Sequence, residues 1–76
     1  MKVRILRPVD CVEFEADAVF LPGTQCPFEV LPGHGAIIST LEEGEIRWRY
    51  AGKEESVAVR SGVVRLKDGI MNICTE

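Results

Sequence analysis

The feature that most constrains this chain is a hydrophobic period of two. In the stretch EIRWRY, Ile46, Trp48 and Tyr50 alternate with Glu45, Arg47 and Arg49. Successive side chains of an extended strand point to opposite faces, so the pattern describes a strand with one buried face. The alternation recurs along the chain. Val57 and Val59 alternate with Ser56, Ala58 and Arg60, and Val64 and Leu66 with Arg65 and Lys67. Met71 and Ile73 flank Asn72, and Val3 and Ile5 stand against Lys2, Arg4 and Leu6. Val12 and Phe14 continue the series, followed by a short strand ending in Val19, Phe20 and Leu21. No window keeps apolar residues at i, i+3, i+4 and i+7, so no helix is expected.

The punctuation agrees. Gly44, Ala51-Gly52, Ser61-Gly62 and Asp68-Gly69 fall between alternating runs at near-regular intervals. Asp68-Gly69 is the strongest hairpin signal, because a type I′ turn needs positive φ at both central residues. Short strands with regular turns predict an all-β fold, a small antiparallel β-sandwich or flattened barrel of about nine to ten strands. The expectation is one domain over residues 1–76 with no C-terminal helices.

Composition enters as a filter. Net charge is −3 and neither sign forms a run, so the chain would repel nucleic acid. No apolar run approaches the roughly 20 residues of a membrane span, so no membrane insertion is expected. The opening MKVRILRPVD carries charges within its apolar stretch and is not a signal peptide. With 76 residues the core is too small to enclose a deep dry cavity, which leans against an enzyme. Cys11, Cys26 and Cys74 are odd in number and widely spaced, which points to a reducing compartment and to buried or half-buried thiols.

Leu-Pro-Gly occurs twice, at residues 21–23 and 31–33, and the only histidine, His34, follows the second copy. Proline presets φ and glycine takes positive φ freely, so each Pro-Gly is expected to reverse or sharply bend the chain in a type II turn. Between them Phe28 and Val30 should point inward, with Pro27 and Glu29 outward. Pro27 cannot donate to a ladder, so the piece is an edge strand or an extended loop. The expected result is a stiff arm with Thr24 to Pro27 at its tip, a form that serves binding.

Chemical readings are poorly supported. A catalytic His34 needs a nucleophile and an orienting group, and only Cys26, upstream on the same arm, is within plausible reach. Cys11, Cys26, Cys74 and His34 have zinc-ligand chemistry but lack zinc-site spacing. Glu42, Glu43 and Glu45 read as a solvated turn, since the alternating ligands and glycine of a calcium loop are absent. Trp48 and Tyr50 read as core rather than as a base-stacking platform, because Arg47 and Arg49 fall on the other face. No catalytic, cofactor-binding or metal residue is therefore assigned.

The run LPGTQCPFEVLPGH, followed by AIISTLEEGEIRWR, resembles the N-terminal domain of the epsilon subunit of F-type ATP synthase. The resemblance extends through the opening strand, Leu41 to Gly44, the Ser61-Gly62 step and the final strand ending at Glu76. It implies a β-sandwich in the central stalk that binds the gamma subunit and rests on the ring of membrane c subunits. Such a rotor subunit would couple ion-driven rotation to ATP synthesis on the catalytic head, without catalysis or cofactor of its own. It would lie on the cytoplasmic side of the bacterial inner membrane. Carried over by position, Gln25, Pro27 and His34 face the c-ring, and Arg7 and Ser39 lie toward gamma. Cys26-Pro27 stands where the family usually has glycine and often an acidic residue, and Gly35-Ala36 where it prefers Ala-Pro. Most members continue into a two-helix hairpin that can restrain ATP hydrolysis. This chain ends at Glu76, so the resemblance implies a form that cannot inhibit by helix extension. The alternative is a free-standing β-sandwich module that binds another protein through a single surface.

Overall fold

The computed structural model describes all 76 residues. Nine strands and no helix are present: β1 (Lys2–Leu6), β2 (Cys11–Glu15), β3 (Ala18–Leu21), β4 (Phe28–Val30), β5 (Ile37–Leu41), β6 (Gly44–Tyr50), β7 (Lys53–Val59), β8 (Gly62–Lys67) and β9 (Ile70–Thr75). They form a five-stranded sheet in the order β2-β1-β9-β8-β5 and a four-stranded sheet in the order β4-β3-β6-β7. Both sheets keep free edges, so the expected sandwich forms and the barrel does not close.

The alternation read from the sequence sets the inner faces. Val3, Ile5, Val64, Leu66, Met71 and Ile73 from the larger sheet meet Val19, Leu21, Val30, Ile46 and Val59 from the smaller, all buried. Each aliphatic side chain removed from water contributes about 1.5–3 kcal/mol before entropy is counted. No polar or charged side chain is buried with them. Burial fades along β6: Ile46 is fully enclosed, Trp48 is half-buried and Tyr50 is 50% exposed. The tip of the β6–β7 hairpin therefore overhangs the sandwich, and Tyr50, expected in the core, lies outside it. Trp48 belongs to the packing rather than to a surface platform. It stacks on Phe14 with centroids 4.1 Å apart at 18° and is packed against the core cluster.

Three further expectations need correction. The sheet is not wholly antiparallel, because β1 and β9 pair in parallel from Lys2↔Ile70 to Leu6↔Cys74. A parallel pair needs a long connection, and here the whole intervening chain supplies it. The cysteines are not buried; Cys11, Cys26 and Cys74 are all exposed. Cys11 and Cys74 occupy outward positions of their strands and Cys26 sits on the arm's tip, places that alternation and turn chemistry leave outside.

The third correction concerns the first Leu-Pro-Gly. Gly33 has φ of 87° and the His34 N–H donates to the Leu31 carbonyl at 3.2 Å, so the second copy makes the expected turn. Gly23 is not in the positive-φ region. It bridges Leu41 in antiparallel fashion, flanked by Thr24 N–H to Thr40 C=O at 3.1 Å and Glu42 N–H to Pro22 C=O at 2.8 Å. Pro22 to Thr24 thus continue β3 in extended form onto the edge of β5. Glycine is required there for space rather than for a turn, since a Cβ would lie 2.6 Å from the Cys26 carbonyl oxygen.

Candidate functional site

The structure offers two surfaces, an arm and a sheet face. The arm runs from Thr24 to His34, with β4 as an edge strand of the smaller sheet. Phe28 and Val30 anchor it inward, while Gln25, Cys26, Pro27 and Glu29 are exposed, as the alternation requires. The Thr24 and Thr40 hydroxyls hydrogen-bond at 2.6 Å and tie the base of the tip to β5. The arm is therefore tied to both sheets.

Gln25 and Pro27 share the tip, whereas His34 lies beyond the second turn. Between Pro27 and Leu31 the extended chain covers about 13 Å, so these residues sit at the two ends of β4. His34 is exposed, and its Nδ1 lies 2.9 Å from the Gly35 carbonyl oxygen. A carbonyl only accepts, so Nδ1 is the donor in this contact. Cys26 and His34 make no hydrogen bond with each other, and no three His, Cys, Asp or Glu side chains are grouped as metal ligands. Beside the arm a shallow groove of about 320 Å³ is lined by Phe20, Pro22, Pro27, Phe28, Glu45 and Arg47, among others. The Arg47 guanidinium covers the Phe20 ring at 4.8 Å and meets Glu54 at 3.4 Å, which accounts for the outward arginines of β6.

The second surface is the outer face of the five-stranded sheet. Register places Thr40, Val63, Cys74, Leu6 and Cys11 in one row crossing all five strands. The row beside it begins at Ile38, which is 76% exposed and pairs with Arg65. Val63 and Ile70 are exposed as well. Adjacent exposed apolar side chains such as Ile38 and Val63, on the neighbouring strands β5 and β8, mark an interaction surface.

Charge divides this face. On the β1–β2 side, Lys2 and Arg4 lie 3.5 and 3.8 Å from Glu13. On the β8 side, Arg65 and Lys67 form no ion pair. With Ala36, Ile37, Ile38 and Leu66 they line a depression of about 340 Å³. A partner fitting here would bring apolar side chains and carboxylates.

The two residues expected toward gamma, Arg7 and Ser39, belong to parts of this sheet three strand spacings apart, roughly 14 Å. Ser39, half-buried on the inner side of the β5 edge, donates to the Thr40 carbonyl at 3.2 Å, and its neighbours Ile38 and Thr40 face out. Arg7 is half-buried and bound to Asp10. Sequence reasoning passed over Ile38, Val63, Arg65 and Lys67. A usable signal was present: in Ile37-Ile38 and Val63-Val64 two apolar residues are adjacent within an alternating strand, so one of each pair must face water.

With this geometry described, comparison with known proteins adds kinship. The family described as ATP synthase, Delta/Epsilon chain, beta-sandwich domain matches residues 1–76. The ATP synthase epsilon chain of Desulfitobacterium hafniense is 33% identical over 75 residues, covering 97% of this chain and 57% of that relative. That of Leptospira interrogans is 30% identical, covering 100% of this chain and 61% of the relative. The chain thus spans less than two thirds of the length of these relatives. Among solved structures, a chain of the Tetrahymena thermophila mitochondrial ATP synthase central stalk and c-ring superposes with a TM-score of 0.84 at 14% identity, covering 99% of this chain and 62% of that one. A chain of the Euglena gracilis mitochondrial ATP synthase gives 0.89 at 21% identity, covering 96% and 48%. At such identities these two matches establish the fold alone.

Proposed function

This chain belongs to the ATP synthase delta/epsilon family of β-sandwich domains, and we propose that it acts as the rotor domain of a central-stalk epsilon subunit. In this reading the outer face of the five-stranded sheet docks on the gamma subunit. The arm carrying Gln25, Pro27 and His34 rests on the c-ring. The domain makes no bond and holds no cofactor; it joins two larger bodies so that they turn together and ion-driven rotation reaches the catalytic head. It would work at the cytoplasmic side of a bacterial inner membrane as a peripheral part of the complex.

The observation that supports this best is the pairing of an arm tied to both sheets with a separate apolar face on so small a body, 26 × 23 × 18 Å in extent. A simple binding module needs one surface; a coupling element needs two, rigidly connected. Thr24 and Thr40 supply that connection directly, because Thr40 lies in the exposed row and Thr24 at the base of the arm. Rigid contacts also lose less conformational entropy on docking.

The experiment mixes this chain with a gamma-containing catalytic head stripped of its own epsilon subunit and follows co-elution on a sizing column. The expected result is stoichiometric co-elution that weakens for Ile38→Asp. Absence of binding at micromolar concentration, with the chain shown to be folded, would favour the free-standing module.

A further inference from the structure

The β1–β2 connection is the four-residue turn Arg7-Pro8-Val9-Asp10. Its base is closed twice. The Arg7 backbone N–H donates to the Asp10 carbonyl at 2.8 Å. The Arg7 guanidinium then grips the Asp10 carboxylate with both prongs, Nε to Oδ1 at 2.7 Å and Nη2 to Oδ2 at 2.8 Å. Pro8 restricts the backbone between them. At the apex stands Val9, 90% exposed, the most exposed large apolar residue of the chain.

An exposed ion pair adds little to folding stability, so the clamp is better understood by what it holds still. A locked turn presents Val9 in one place, and a preorganised group loses less entropy on binding. The location is equally telling. The turn lies directly beyond Leu6 and Cys11, the β1–β2 end of the exposed row that crosses the five-stranded sheet. A partner covering that row would meet Val9 at its border. A cleft of about 210 Å³ lined by Ile5, Arg7, Val12, Trp48, Ser56 and Val57 opens on the other side of the turn, between the two sheets.

We infer that Val9 is an apolar anchor that enters a pocket on the subunit covering the outer sheet face, and that Arg7 positions this anchor through Asp10 instead of contacting the partner. The inference rests on the proposed docking of that face to gamma. It assigns the partner a small apolar pocket beyond the Leu6 and Cys11 end of the row, at the corner of the face opposite Lys67.

The test measures the affinity of the whole chain for the epsilon-stripped, gamma-containing head by a binding titration. Val9→Ala is expected to weaken binding roughly tenfold, in keeping with loss of two buried aliphatic carbons, and Val9→Asp by more. Arg7→Gln and Asp10→Asn should each weaken it several-fold without adding in the double variant, as members of one unit do. The exchanged pair, Arg7→Asp with Asp10→Arg, should recover most of the affinity, a rescue that direct contact by Arg7 does not allow. Thermal melts establish that every variant is folded. If Val9→Asp binds as the parent while Ile38→Asp binds weakly, the anchor is overturned and the docking reading stands. Failure of the exchanged pair to recover, with Val9→Asp neutral, makes Arg7 a direct contact and likewise overturns the inference. A parent chain that does not bind removes the docking reading and the anchor together.

Discussion

Gly23 and Phe28 are packed so closely that a Cβ on residue 23 would lie 2.8 Å from the Phe28 ring and 2.6 Å from the Cys26 carbonyl oxygen. The ring could shift, but the carbonyl belongs to the backbone of the arm's tip. Gly23→Ala therefore overpacks the junction of arm and sandwich, at about 1–3 kcal/mol. For a domain of this size that corresponds to a fall in melting temperature of roughly 4–8 °C per kcal/mol. A thermal melt followed by circular dichroism checks it; an unchanged midpoint would mean that the tip is free to move.

Ala51 is the one residue placed against its preference. Its φ is 52°, with Gly52 at 80°, in the tight turn between β6 and β7. The Asp17 carboxylate accepts the Ala51 N–H at 3.2 Å and helps to hold it. Left-handed backbone costs an alanine about 1 kcal/mol or more, whereas asparagine tolerates it. Ala51→Asn should raise the stability by roughly 0.5–1 kcal/mol, measurable by urea unfolding.

The core has little to spare. Ile73 is fully enclosed in a cluster of 13 buried residues drawn from both sheets. Ile73→Ala should cost about 2–5 kcal/mol, comparable with the roughly 4–11 kcal/mol available to a chain of this length. A melting temperature lowered by roughly 4–8 °C for each kcal/mol lost is the expected outcome, read by circular dichroism.

Ile38 tests the opposite case. It is 76% exposed on the outer face. Ile38→Asp should leave the melting temperature within the range of a surface change, about 0.5 kcal/mol, while weakening docking to the gamma-containing head. A large loss of stability would show that Ile38 has a structural role and discredit this face as a free surface.

The clamp at the β1–β2 turn predicts flatness with pH on the arginine side. The hydrogen bond from Arg7 to Asp10, and next their charge attraction, raise the Arg7 pKa above its ordinary value. A group whose folded pKa is raised contributes its stabilisation below the unfolded pKa and loses it only as pH climbs through the folded one. For an arginine both lie far above the physiological range. Deprotonation of Arg7 should therefore contribute nothing to docking between about pH 7 and 9, and the binding titration repeated across that interval checks it. A progressive weakening there would assign the dependence to another group at the interface.

Much of the fold was legible from residue types alone. Ile46, Val59, Val64, Leu66, Met71 and Ile73 are buried where alternation placed them, and Asp68-Gly69 turns with φ of 53° and 76° as a type I′ pair must. The arm was legible too, through Pro27 at an edge and Phe28 and Val30 as anchors. The first Leu-Pro-Gly misled, because Pro-Gly is compatible with an extended backbone when a neighbouring ring and carbonyl fill the space of a side chain. The thiols misled for a different reason: cysteine is usually buried, but Cys11 and Cys74 sit at outward positions of their strands.

What the sequence determined by itself is local: the strand period, the face each residue takes and the turns whose φ demands particular residues. These follow from steric rules acting over a few bonds. What the tertiary structure decided is who stands beside whom. The parallel meeting of β1 and β9 brings Leu6 beside Cys74, and the register of β8 and β5 extends that row through Val63 to Thr40. Alternation says that such residues face outward but not that they touch, because strand neighbours are chosen by closing loops of dozens of residues over a shared core. The docking face is a product of that choice.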